Sequence, residues 1–216
     1  MTAAPMTQRA EIKPVAHPGP EDSSELLRPE RLLPGLGGPK IGDFWQWAYS
    51  DLLSNRNRSI LAEYFIGVAL EVVEKPRVEW DAVDLRYRGF GIEVKSSAHC
   101  QSWHQKRLSP ILFSIRKAIC WEAATGEFKG EPTRSSDVYI FCVHTEKQTA
   151  RAKISVYDVG TWQFYIVPTK RLNEEFGDAK SLGISSVQRV ADACTFEGLK
   201  VAVDSVLLAC SAAGRT

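Results

Sequence analysis

The order of apolar and polar positions divides the chain into segments of different period. In DFWQWAYSDLL, Phe44, Trp47, Ala48 and Leu52 recur at helical spacing, which predicts an amphipathic helix with Asp43 as its N-cap. A second helix is predicted over Ser59 to Val73, with Leu61, Phe65, Val68 and Val72 as its stripe and Pro76 ending it. Apolar residues occupy most of that helix's circumference, so Glu63 is expected to be partly buried. The period then falls to two in VEWDAVDLRY and GIEVKSS, two runs separated by Arg88, Gly89, Phe90 and Gly91, which predicts a β-hairpin.

After the polar stretch AHCQSWHQKRLSP comes ILFSIRKAICWEAA, helical by length and period. The runs DVYIFCVH and QFYIV are apolar enough for interior strands, and KISVYDV between them reads as a third strand or the start of a short helix. SVQRVADA and FEGLKVAVDSVLLAC restore the helical period. This alternation predicts an α/β fold, a mixed central β-sheet flanked by helices on both faces. Trp45 and Trp47, with Trp162, Phe164 and Tyr165, are assigned to the core.

Residues 1–39 hold seven of the eleven prolines and no aromatic side chain, too little apolar surface to offset ordering entropy. They are expected to form a flexible Pro-rich tail ahead of a single domain over 40–216. With 27 basic and 26 acidic residues the net charge is +1, which excludes a polyanion binder acting through bulk charge. Between Arg86 and Lys117, however, seven basic residues face one acidic residue, a local concentration suited to a phosphate backbone. The five cysteines form no C-x-x-C pair, and no apolar run reaches membrane-spanning length, so free thiols in a cytoplasmic protein are expected.

One constellation carries chemistry: Glu63 on the second helix, Asp81 and Asp84 on the first hairpin strand, and Glu93-Val94-Lys95 on the second. Glu93 and Lys95, two apart on a strand, share a face, and an Asp nearby would complete a cage of hard oxygen ligands for Mg²⁺. If Arg88 and Gly91 close the turn, Tyr87 faces Ile92 and Asp84 faces Lys95, which puts Asp84 on the face of Glu93 and Asp81 on the other. Taken alone, E-x-K on a strand face is also what a solvated ion pair looks like. Downstream, Gln101 reads as a surface amide. Trp103, followed by His104, Lys106 and Arg107, is either a loop anchor or a base-stacking side chain flanked by phosphate-binding groups. His99, Cys100 and His104 lack the fourth ligand of a zinc site.

Glu63, Asp84 and Glu93-Val94-Lys95, with the phrases FWQWAYSDLLSNRNRSILAEY and IEVKSSAHCQSW, resemble the PD-(D/E)xK superfamily of restriction-endonuclease-like nucleases. The resemblance runs from about Asp43 to Leu108, and it departs from the motif in having no Pro before either Asp. It implies a restriction-endonuclease-like core and Mg²⁺, replaceable by Mn²⁺, held by Asp84, Glu93, the Val94 carbonyl and Glu63. It also implies Lys95 assisting the attacking water, DNA as substrate, and a homodimer for cutting both strands, and Gln101 resembles a polar residue that relatives use near the scissile phosphate. Two other functions stay open: a nucleic-acid-binding or assembly protein on the same fold without catalysis, and an α/β domain whose ion pair is coincidental.

Overall fold

The computed structural model describes residues 26–79, 81–122, 127–148 and 154–212, with backbone alone over 120–122 and 127–129. Two helices open the fold, α1 (Ile41–Tyr49) and α2 (Asn55–Leu70), followed by the hairpin β1 (Leu85–Tyr87) and β2 (Phe90–Ala98). Short strands β3 (Leu112–Ser114), β4 (Ala118–Glu122) and β5 (Glu127–Thr133) precede the long strands β6 (Val138–His144) and β7 (Trp162–Pro168). The chain finishes with α3 (Thr169–Phe176), β8 (Ser181–Gly183), α4 (Ile184–Gln188), β9 (Ala193–Cys194) and α5 (Phe196–Ala212).

The central sheet has the order β1-β2-β6-β7-β9. It is mixed: β2 and β6 are parallel and the remaining neighbours antiparallel. Helices flank it. On one face Ile92, Val94, Ile140 and Phe164 pack with Ala62, Ile66 and Leu70 of α2 and with Leu199, Val203 and Leu207 of α5. On the other, Tyr139, Phe141, Tyr165 and Val167 meet Phe113, Leu172 of α3, Leu182 and Val187 of α4. Every residue of β6 is buried, as expected of a central strand covered on both sides.

Several expectations are corrected. The segment ILFSIRKAICWEAA is not a helix; its described part forms β3, which pairs with β8, and β4, which pairs with β5. Its Ile and Phe positions fit a pleated surface as well as a helical stripe, and pairing partners distant in sequence decided between them. The chain between the parallel strands β2 and β6 thus runs through short strands. Ile154 to Asp158 forms no strand; it turns into a short 3₁₀ helix at Val159–Thr161 with Asp158 as its cap, the second of the two expectations for this run, and Lys153 lies outside the described residues.

Helix α1 is capped by Lys40, and Asp43 sits three residues into it, its carboxylate accepting the Lys40 N–H at 2.7 Å. None of its residues is buried, and Trp47, assigned to the core, is 84% exposed. Helix α2 starts earlier than expected, at the Ser54 cap, and ends at Glu71 in the left-handed conformation, five residues before Pro76. Its buried apolar stripe is Ala62, Ile66 and Leu70, one or two positions on from the expected Leu61, Phe65 and Val68. Where apolar residues surround a helix, periodicity leaves the facing stripe undetermined. Of the expected tail, residues 1–25 lie outside the described residues. The following stretch is exposed and tied to α1, Ile41 and Gly42 donating to the carbonyls of Arg31 and Pro29 at 2.9 Å each.

Candidate nuclease site

The hairpin sets the register of the site. Arg88 (φ 51°) and Gly89 (φ 77°) form its two-residue turn, both left-handed as a type I′ connection requires. Arg88 adopts this conformation with its guanidinium 3.1 Å from Asp204 of α5. Gly91 serves close approach instead: a Cβ there would lie 2.7 Å from Val83 Cγ1. The turn therefore falls one residue earlier than the sequence pattern suggested, and Tyr87 faces Phe90, Arg86 faces Gly91 and Leu85 faces Ile92. Continued by one residue, the register sets Asp84 across from Glu93, where Lys95 was expected. A slip of two positions leaves side chains on their original faces, so Asp84 and Glu93 remain neighbours.

Only Leu85–Tyr87 of the first run is a strand; residues 81–84 bend away. Beyond the end of β1 the Val94 N–H is taken by the Asp84 carboxylate at 2.7 Å, while the Asp84 N–H still reaches the Ile92 carbonyl at 3.1 Å. Asp84 is thereby fixed in the plane of the sheet, beside the Glu93-Val94-Lys95 backbone. Asp81 is engaged elsewhere, its carboxylate accepting from Arg86 at 3.0 Å and from the Ala82 N–H at 2.6 Å.

The structure brings Glu63, Asp84, Glu93 and Lys95 into one electrostatic neighbourhood. Burial pushes the Glu63 carboxyl up, Arg77 pulls it down, and Asp84 adds to the upward push. Burial also raises Glu93, reinforced by the charge of Asp84 and opposed by Lys95. Each glutamate has a cation: Lys95 donates to Glu93, and Arg77 binds both oxygens of Glu63 through Nε and Nη2. Across the parallel pair Tyr139 adjoins Glu93, and its hydroxyl is pushed up to about 12, first by burial and then by the Glu93 charge. Ser59 Oγ of α2 and Ser96 Oγ of β2 lie 3.1 Å apart, stitching helix to strand behind the site.

The donor set, three carboxylates and a carbonyl, has the chemistry of a hard divalent-cation site. As placed, though, no three His, Cys, Asp or Glu side chains among the described residues stand close enough to hold a metal ion. Ligation requires Glu63 and Glu93 to leave their cationic partners.

The second half of the candidate set is separate. Gln101 is a half-buried amide that donates to the Ala98 carbonyl at 2.9 Å and accepts from Arg58 at 3.3 Å. Arg58 is buried and also donates to the Leu53 carbonyl at 2.9 Å. Gln105 fixes the rest of the loop, accepting the Gln101 N–H at 2.7 Å and donating to the His99 carbonyl at 3.2 Å. On this frame Trp103, 56% exposed, and the exposed His104, Lys106 and Arg107 face solvent. A cleft of about 860 Å³ lined by Thr133, Ser136, Thr169 and Lys170 contains none of these groups.

Sequence reasoning missed Arg77, Tyr139 and Arg58. Arg77 had a weak signal, a basic residue in an acid-rich link after α2; Tyr139 and Arg58 had none, since their roles come from strand pairing and burial. Among the described residues no helix is long and apolar enough to cross a membrane. No family model matches the chain, and neither a curated protein nor a solved structure matches it.

Proposed function

We propose that the protein is a Mg²⁺-dependent endonuclease of the restriction-endonuclease-like kind that hydrolyses DNA phosphodiester bonds in the cytoplasm, in a restriction or defence setting. The observation carrying this reading is the placement of Asp84 against the Val94 N–H, beside Glu93 and Lys95 and within the field of Glu63. Asp84, Glu93, the Val94 carbonyl and Glu63 would hold the ion, with Mn²⁺ able to replace it. When bound, Mg²⁺ supplies charge neutralisation at the scissile phosphate and a more acidic water. Lys95, released from Glu93, places an ammonium where a water or a developing negative charge is held. Lys106 and Arg107 supply backbone-phosphate contacts, and Trp103 offers a stacking face for a base. Cutting both strands of a duplex with one such site calls for a second copy of the chain.

A second reading, a nucleic-acid-binding protein without catalysis, is favoured by the pairing of both glutamates with cations, which leaves the carboxylates internally neutralised. Incubation with plasmid DNA in Mg²⁺, Mn²⁺, Ca²⁺ or EDTA separates the two. The endonuclease nicks or linearises in Mg²⁺ and Mn²⁺, and Ca²⁺, with its looser coordination, supports binding alone. Lys95→Ala lowers cleavage by about 10²–10³-fold with metal binding kept. DNA binding with no nicking under any ion establishes the second reading.

A further inference from the structure

We propose that Arg77 is an exchangeable counter-cation of this site, which holds the Glu63 carboxylate while no divalent ion is bound and gives it up when one binds. The inference rests on the metal-dependent reading above and deepens it.

Glu63 stands on a regular helix and its side chain is only 8% exposed, so it cannot retreat into water. Both of its oxygens are occupied by Arg77. A carboxylate that ligates a metal must offer an oxygen lone pair, and two cations on one carboxylate repel each other, so the paired Arg77 competes with metal ligation for Glu63. Arg77 is the partner able to move. It lies in the irregular link between α2 and β1, outside any helix or strand, and 35% of its side chain is exposed.

A second acceptor is also at hand. The Arg77 guanidinium feels Glu79, two residues along the same exposed link, as well as Asp84. Leaving Glu63 moves Arg77 from a buried carboxylate to solvent and an exposed one, and the divalent ion takes over the neutralisation of Glu63 that this would otherwise cost. Charge points the same way. Glu63, Asp84 and Glu93 carry three negative charges against the two of Arg77 and Lys95, and a divalent ion in place of the guanidinium balances them more closely.

The test is calorimetric titration of Mn²⁺ into the wild-type protein, Arg77→Gln, Arg86→Gln, and the double variant Arg77→Gln/Glu63→Gln. Arg86 is the control, because it is a nearby arginine whose carboxylate partner, Asp81, lies outside the proposed ligand set. Arg77→Gln is expected to bind Mn²⁺ about tenfold more tightly than wild type, the competitor being gone. Arg86→Gln stays within about twofold, since an exposed charge is screened. The double variant loses the gain. Without metal Arg77→Gln melts below wild type, and Mn²⁺ raises its melting temperature by more. Should Arg77→Gln fail to fold, Arg77→Lys, a point charge without the paired donors, is expected to show an intermediate gain.

Equal Mn²⁺ affinity in wild type and a folded Arg77 variant overturns the inference and leaves the metal reading standing; so does an equal gain in Arg86→Gln. Absence of Mn²⁺ binding in every protein overturns the metal reading and the inference together.

Discussion

The acidic end of the hairpin and the Gln101–Arg107 loop lie next to one another in sequence, yet they are built on opposite plans. At the hairpin every charged group is engaged: Asp84 with a backbone N–H, Glu93 with Lys95, Glu63 with Arg77. Its geometry comes from strand register and one helix, so each side chain has a position before any ligand arrives. In the loop two amides fix the backbone, and the groups suited to nucleic acid face solvent. On the proposed function the first region would take a small, highly charged ligand by exchanging the partners of its carboxylates, and the second would offer adaptable cations and an aromatic face to a large one. Substitutions in the two regions should therefore fail differently.

The largest expected effect is at Asp84. Asp84→Asn removes a carboxylate of the proposed ligand set, and Mn²⁺ binding and cleavage are expected to disappear together. Asp81→Asn removes only an interaction with an exposed arginine, worth under about 1 kcal/mol, and should leave both intact. Calorimetry with Mn²⁺ on the two variants decides between them: loss in Asp81→Asn alone would transfer the role to Asp81 and break the contrast between a committed and an adaptable region.

That contrast also explains what the sequence made legible. Alternation in GIEVKSS placed Ile92 and Val94 in the core and Glu93 and Lys95 together, because period two leaves no other arrangement once one face is buried. Asp84 stays near Glu93 despite an error in the register, because the true turn, at Arg88-Gly89, shifts the pairing by an even number of residues. What escaped detection depends on distant partners. Arg88 takes positive φ where Gly would be expected, beside Asp204 more than a hundred residues away. Gln101 looked like a surface residue because nothing local reveals that Arg58 sits beneath it. Periodicity also misled at ILFSIRKAICWEAA and at α1, where an amphipathic pattern produced strands in one case and an uncovered helix in the other.

An intermediate effect is expected in the loop. Neutralising one phosphate-binding cation lowers the slope of log K against log[salt] for B-DNA by about 0.9, so Lys106→Ala and Arg107→Ala should flatten the slope without altering Mn²⁺ binding. Fluorescence anisotropy with a labelled duplex over a salt series measures it. An unchanged slope places the phosphate-binding surface elsewhere on the protein and removes the loop from the comparison.

The smallest effect comes from beneath the loop and sharpens the division between the regions. His144, at the end of β6, is fully buried beside Trp162, with neither ring nitrogen hydrogen-bonded and Nε2 3.6 Å from Glu146. Burial lowers its pKa below the ordinary histidine value; the Glu146 charge pulls it back up, and Arg58 and His99 push it further down. Because the folded protein resists protonation, the unfolded chain takes up the proton first as the pH falls. The stability this neutral ring contributes is complete above the unfolded histidine value of about 6.5 and is lost as the pH falls through the lower folded one. The raised Glu63 and Glu93 act in the opposite sense, since protonation there relieves a buried charge as the pH falls, so the histidine has to be isolated by difference. Melting curves of wild type and His144→Gln between pH 7.5 and 5 supply that difference: the melting temperature of wild type should fall further than that of the variant on acidification. Parallel pH profiles in wild type and His144→Gln would show that His144 stays neutral or is paired down to pH 5.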